Sequence, residues 1–180
     1  MIGVLVSGSG TNLQALLDAG LPIVAVGSNK AGVHALARAE AAGVETSVFE
    51  LAAYPDRPAR DAAMADWLES RGVELVVLAG YMHLLTEPFL ERFGGRIVNT
   101  HSARLPDFPG NHPIEDTLAA GVLETAATVH FVDEGVDTGP VIAAESVPVY
   151  ADDTVESLRA RVQEVEHRLL PRVVSELVAS

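Results

Sequence analysis

Ile2-Gly3-Val4-Leu5-Val6-Ser7-Gly8-Ser9-Gly10-Thr11-Asn12 opens the chain and decides its architecture. Ile2–Val6 carries no polar side chain on either face, as a parallel strand buried from both sides requires. A glycine-rich turn follows at once, and a helical pattern over Asn12–Asp18 comes next. Strand, short glycine turn and helix together make the first unit of an α/β sheet. In such a turn Thr11 or Asn12 is the expected N-cap. Free backbone N–H groups at the helix start also suit a phosphate. The turn is not the dinucleotide fingerprint, because Leu13 stands where the third glycine belongs. No Gly-Lys-Ser/Thr follows either, which excludes a P-loop.

Outward from this unit the same alternation continues. Ile23–Val26, Glu45–Phe49, Leu75–Ala79 and Arg96–Val98 read as further strands. Val33–Ala42, Arg57–Arg71 and Glu87–Phe93 read as helices, and Gly20, Gly43, Gly72 and Gly94 are placed as their C-terminal stops. The pattern then changes. Thr128–Val132 and Val141–Val149 are two strands around a polar loop, Asp133 to Pro140, too long for a tight hairpin. An amphipathic pattern from Thr154 to Val178 reads as a closing helix, with a kink expected at Pro171. The expected fold is α/β, a single-domain Rossmann-like open twisted sheet. Its N-terminal part is parallel, its C-terminal strands antiparallel, and a long helix closes it.

Composition narrows the function. The chain has 180 residues, 12 basic against 25 acidic, for a formal charge of −13. A total this acidic argues against broad binding to nucleic acid or an anionic membrane. It leaves room for a small anion held on backbone N–H groups. Without cysteine there is no disulfide, no thiolate nucleophile and no Cys-ligated zinc. The longest apolar run, Leu75 to Leu85, is too short to span a bilayer, and Met1 leads straight into the first strand. A soluble, cytoplasmic, one-domain protein is expected.

Two further segments carry chemistry. Asn99 and His101 lie two apart after the apolar run Ile97-Val98, so an extended backbone points both to one face. An amide beside an imidazole suits a developing oxyanion, and the imidazole can also move a proton. The competing reading is two polar residues that merely end a strand at a turn. The loop Asp133-Glu134-Gly135-Val136-Asp137-Thr138-Gly139-Pro140 offers three carboxylates. They bind a cation, orient a histidine, or stay solvated; the EF-hand spacing fails, and Asp137 beside His101 follows base-plus-carboxylate logic. The six histidines contain no H-x-x-x-H pair, and no G-x-S-x-G elbow occurs. His130, in a β-run, reads as structural; His34 and His167 read as surface, and Glu164 with Glu166 as a solvated helix face.

Taken together the motifs resemble the folate-dependent formyltransferases over nearly the whole chain. The resemblance rests on Ser7–Ala15, Ser28–Ala31, Val77–Met82, Asn99-Thr100-His101, Leu105–Gly110, Val129–Pro140 and Arg161–His167. It is strongest to the branch acting on phosphoribosylglycinamide. It implies transfer of a formyl group from 10-formyltetrahydrofolate to the amine of 5-phosphoribosylglycinamide, in de novo purine biosynthesis. Asn99, His101 and Asp137 match the catalytic residues. Gly10, Thr11 and Asn12 match the substrate-phosphate loop; Glu166 matches the ribose contact, with Gln163 nearby. Arg57, Met82, His83, Leu84, Leu85, Asn99 and the loop residues Asp133, Glu134, Gly135, Val136 and Asp137 match the folate site. The resemblance calls for no metal and no tightly bound cofactor, the folate being a co-substrate, and for a monomer or homodimer acting on small molecules. Residues 1–100 would form a phosphate- and nucleotide-binding half, and 101–180 a folate-loop and closing-helix half.

The chain also departs from the family. Ser102-Ala103-Arg104 replaces a proline-led stretch, which restores an N–H and predicts a less rigid loop. Glu115 and Asp116 stand where basic character is usual, and His83 where arginine is common. The 180-residue length and acidic charge disfavour a tRNA formyltransferase. Two alternatives stay open: a 10-formyltetrahydrofolate hydrolase, and a non-catalytic folate- or nucleotide-binding module.

Overall fold

The computed structural model describes residues 1–180. Along the chain run β1 (Ile2–Val6), α1 (Thr11–Asp18), β2 (Ile23–Ser28), α2 (His34–Ala41) and β3 (Glu45–Val48). A 3₁₀ turn (Leu51–Ala53), α3 (Arg57–Ser70), β4 (Leu75–Leu78), α4 (Glu87–Phe93) and β5 (Ile97–His101) follow. The chain ends with α5 (Pro113–Ala120), β6 (Glu124–Phe131), β7 (Val141–Pro148) and α6 (Val155–Ala179). It divides into two units, Met1–Val98 and Asn99–Ser180, and the division falls inside β5.

In the first unit β1 lies between β2 and β4 and is parallel to both, and β3 extends the sheet beyond β2, again parallel. Ile2, Val4, Leu5 and Val6 are fully buried, which explains why β1 is apolar on both faces. Gly3 interrupts that run because Leu68 and Val73 press on it. A Cβ there would stand 2.9 Å from the Leu68 side chain. The Arg96 carbonyl accepts from the Val76 N–H at 2.9 Å, so β5 begins as the next strand after β4.

In the second unit β6 lies between β5 and β7. β6 and β7 are antiparallel, with Thr125 opposite Val147 and Ala127 opposite Glu145. Helix α6 buries Leu158, Val162, Val165, Leu169, Leu170, Val173 and Val174 along one side. Its start is fixed by a reciprocal cap, in which Thr154 accepts from the Ser157 N–H and Ser157 accepts from the Thr154 N–H. Asp153 adds two contacts to the Arg161 guanidinium at 2.8 Å, and these hold its carboxyl far below the usual range. The α/β architecture expected from the sequence forms, with a parallel N-terminal part, antiparallel C-terminal strands and a long closing helix.

Several local expectations are corrected. Helix α1 is capped by Gly10 in a left-handed conformation (φ 78°), not by the Thr11 or Asn12 side chain. The left-handed residue after α4 is Gly95 rather than Gly94. Strand β5 extends through His101, so Asn99 and His101 belong to the strand instead of following it. Strand β6 starts at Glu124, not Thr128, because β7 supplies the pairing that small Thr and Ala residues do not advertise. Helix α5 was not foreseen, although Pro113 opens it and left-handed Gly121 ends it. Helix α6 continues across Pro171, which is buried within its apolar face.

Candidate active site

The richest polar cluster lies in the second unit. Strand pleating points Asn99 and His101 of β5 to one side, and the loop between β6 and β7 delivers Asp137 to them. The His101 Nδ1 stands 3.5 Å from Asp137 Oδ2, with the histidine 6% and the aspartate 11% exposed. On its other side the ring donates from Nε2 to the Phe108 carbonyl at 2.8 Å. Asp137 adopts a left-handed backbone (φ 53°) and accepts from the Gly110 N–H at 2.8 Å. A non-glycine residue held there marks a backbone over-determined by its surroundings. Gly139 makes the return possible, since a Cβ at this position would sit 1.7 Å from the Phe131 carbonyl oxygen.

His130 is the buried strand histidine that the sequence expects, and the fold also sets it against the cluster. Its Nε2 lies 3.6 Å from Asp137 Oδ1 and 3.4 Å from Asn99 Nδ2, while Nδ1 donates to the Phe131 carbonyl at 2.9 Å. The available signal was periodicity: on β6, His130 shares a face with Thr128, and the Asp133 loop starts three residues later. Burial works to raise the Asp137 pKa. Hydrogen bonding to His130 and Gly110 and the charge of His101 outweigh it, so the carboxyl lies below its ordinary value.

Glu166 is not on a solvated face as the helix pattern suggested; it is 3% exposed. Its Oε1 accepts from the Ser102 hydroxyl at 2.6 Å. The Ser102 departure therefore ties the end of β5 to α6 instead of loosening the stretch. Gln163 sits half-buried one turn earlier. The other departures also find partners. Arg104 reaches Glu124 at 2.9 Å and Ser146 at 2.8 Å, and Glu115 pairs with Arg159 at 3.1 Å. Around the loop, Asp133 accepts from Thr138 Oγ1 at 2.6 Å and from the Gly135 N–H at 2.9 Å, which holds its carboxyl below the ordinary value. Glu134 and Val136 are exposed on the loop's rim. His167, expected on the surface, has a buried Nε2 with no protein partner, and burial lowers its pKa.

In the first unit the glycine turn is built against α2. The Gly8 carbonyl accepts from the Ala35 N–H at 3.0 Å, and the Ser9 carbonyl from Arg38 Nε at 2.8 Å. A Cβ on Gly10 would lie 2.6 Å from the Ala35 Cβ. Thr11 and Asn12 are therefore the first residues of α1, at the positive end of its dipole. The segment Met82–Leu85 follows β4. Met82 and Leu84 are exposed, whereas Leu85 is buried. Arg57 is exposed at the first residue of α3. Burial pushes the Tyr81 phenol up to about 12, and its hydroxyl has no protein partner. No group of three or more His, Asp or Glu side chains stands at metal-binding spacing.

Comparison with known proteins follows the same lines. A family model described as formyl transferase matches residues 1–174. The chain is 46% identical over 185 positions to the trifunctional purine biosynthetic protein adenosine-3 of Gallus gallus, covering 99% of this chain but 18% of that protein. It thus spans less than a fifth of this much longer relative. It is 40% identical over 179 positions to the phosphoribosylglycinamide formyltransferase of Haemophilus influenzae, covering 96% of this chain and 84% of that one. The crystal structure of phosphoribosylglycinamide formyltransferase from Streptococcus pneumoniae superposes with a TM-score of 0.95 at 43% identity, over 98% of both chains. The chain belongs to the formyl transferase family.

Proposed function

We propose that the chain transfers a formyl group from 10-formyltetrahydrofolate to the amine of 5-phosphoribosylglycinamide, a step of de novo purine biosynthesis. The observation carrying this reading is the cluster of Asn99, buried His101 and Asp137 in a formyl transferase family member. Relatives named phosphoribosylglycinamide formyltransferase, at 40% and 45% identity, support it.

In the reaction the glycyl amine attacks the formyl carbon and the carbonyl electrons move onto oxygen, giving a tetrahedral oxyanion. The Asn99 amide and the His101 ring donate hydrogen bonds to that oxygen. The N–H that His101 directs at the Phe108 carbonyl is the one the oxyanion, a stronger acceptor, takes over. Asp137 stays ionised at neutral pH. It receives the proton lost by the attacking amine and, with His101 and a water, returns one to N10 of the folate as the C–N10 bond breaks.

Gly10, Thr11 and Asn12 hold the substrate phosphate with backbone N–H groups, and Gln163 and Glu166 face its ribose. Arg57, the Met82–Leu85 segment, Asn99 and the loop 133–137 form the folate site. Residues 1–100 form the phosphate- and nucleotide-binding half, which also carries Arg57, Met82–Leu85 and Asn99 of the folate site, and 101–180 supply the folate loop and closing helix. The protein works in the cytoplasm on small molecules, as a monomer or homodimer, without nucleic acid, membrane, metal or resident cofactor.

Release of tetrahydrofolate from 10-formyltetrahydrofolate, measured with and without phosphoribosylglycinamide, tests the reading. Release that requires the glycinamide supports it. Release without the glycinamide would indicate a hydrolase, and none at all a binding module. His101→Ala and Asp137→Asn should each lower kcat by on the order of 10²-fold or more. A wild-type rate in either variant removes that residue from the mechanism.

A further inference from the structure

Between β4 and α4 the chain from Gly80 to Thr86 has neither helix nor strand, yet its backbone is held at three points. The Met82 N–H donates to Ser7 Oγ at 2.9 Å. The Thr86 N–H and hydroxyl donate to Asp61 Oδ2 at 2.9 and 2.7 Å. Between them, His83 Nδ1 lies 3.1 Å from Arg60 Nη2. Arg60 and Asp61 are both fully buried and paired at 2.7 Å, and Arg60 Nη1 reaches the Phe49 carbonyl at 3.4 Å. A buried guanidinium needs an acceptor for each of its edges. His83 is one of the three that the fold supplies.

Arginine only donates, so this contact requires a lone pair on His83 Nδ1. The ring's one lone pair goes to the shorter, charged Arg60 contact, so the proton of the neutral ring sits on Nε2, which faces the Asn29 Nδ2 group at 3.4 Å without an acceptor there. Asn29 in turn accepts from Ser7 Oγ at 2.6 Å, and Ser7 is the group that receives the Met82 N–H. The imidazole thus ties the middle of the segment to the buried pair on α3, beside the Ser7 hydroxyl that holds Met82. Met82 and Leu84, on either side of it, are 58% and 54% exposed.

We propose that His83 is the positioning residue of the folate segment: as a neutral acceptor for Arg60 it fixes the Met82–Leu85 backbone in its binding geometry. This rests on the reading of that segment as part of the folate site. A proton on Nδ1 would set donor against donor and cation against cation, so the tie is broken by acid. The charged groups facing the ring are Arg60, Arg57 and Asp61 of α3 and Lys30 after β2, and the Tyr81 ring stands edge-on with centroids 6.0 Å apart. Burial first, then Arg60 and Arg57, lowers the His83 pKa against the opposing pull of Asp61, which favours the neutral ring at working pH.

The test compares wild type, His83→Ala and His83→Asn, whose amide oxygen reproduces the Nδ1 acceptor. KM for each substrate and kcat are measured from pH 5 to 8, beside the ring ¹⁵N shifts of the wild type. In wild type the folate KM should rise as pH falls, the glycinamide KM should not follow, and the shifts should show the Nε2–H tautomer. His83→Ala should raise the folate KM about tenfold, the scale of one hydrogen bond between a charged and a neutral group. His83→Asn should restore a low KM and remove that part of the pH dependence. An unchanged folate KM in His83→Ala, a pH dependence surviving in His83→Asn, or an Nδ1–H tautomer overturns the proposal. Absence of turnover in wild type overturns the reaction itself and this proposal with it; normal turnover with a flat KM overturns only the proposal.

Discussion

Ser102 shows how one hydroxyl changes the meaning of its neighbours. A serine in this stretch reads from sequence as lost rigidity, because it restores an N–H and frees a dihedral. In the fold its hydroxyl spends itself on Glu166 at 2.6 Å, so a carboxylate that is 3% exposed has a donor where none was anticipated. Removing the partner of a buried polar group is costlier than removing an exposed one. Ser102→Ala should therefore raise the KM for phosphoribosylglycinamide several-fold, in the direction of Glu166→Ala but less severely, and leave the folate KM in place. Initial-rate kinetics with each substrate varied in turn would show it. Equal changes in both KM values would mean that the hydroxyl serves the fold and not the ribose. The same lesson applies to Arg60, which passes in sequence for one more polar residue of a helical pattern. Nothing along the chain announces that it is fully buried, because its acceptors come from Asp61, Phe49 and His83, in three separate segments.

At the scale of elements, the glycine turn was the most legible part of the chain and still held something back. Its place between β1 and α1 followed from the strand pattern and the glycines. That Gly10 itself caps the helix did not, because the reason lies in α2. The left-handed φ of 78° and the 2.6 Å approach of the Ala35 Cβ exclude any side chain there. Gly10→Ala should cost at least about 1–2 kcal/mol from the left-handed backbone alone. The steric approach adds to this, and Tm should fall by roughly 2–4 °C for each kcal/mol in a chain of this size. Calorimetry would check it, and an unchanged Tm would mean that the turn relaxes freely. Elements with a clear apolar signature, the all-apolar β1 and the long periodic α3 and α6 among them, were readable because burial wrote itself into residue choice. Helix α5 and the first half of β6 were not. Their small and polar residues take their conformation from a proline start and a partner strand, not from their own hydrophobicity. In the candidate site, Asn99, His101 and Asp137 were legible as candidates and His130 as a buried strand histidine, but its approach to Asn99 and Asp137 was not, because it depends on how the 133–140 loop returns.

For the whole molecule the dominant fact is charge. A protein of net −13 would repel the two anionic substrates proposed above at long range, whatever the glycine turn does at contact. Screening shortens that repulsion to about 8 Å at physiological ionic strength. Raising salt from about 10 mM to 150 mM should consequently increase kcat/KM for phosphoribosylglycinamide, opposite to the usual behaviour of a basic phosphate site. Stopped-flow or steady-state rates across a salt series would decide it, and a monotonic fall would show that local donors outweigh the global field.

The passage between the two units happens within one strand. Borders of this kind normally fall in exposed, pliable linkers, but here Val98 is fully buried and Asn99, the next residue, belongs to the candidate cluster. No spare chain separates architecture from chemistry. A graft, a cleavage site or a new terminus placed between them would leave each piece with an unfinished strand, so neither can be traded as a cassette. Ser102, Arg104 and Glu115 all lie in the second unit, and each finds its partner inside it.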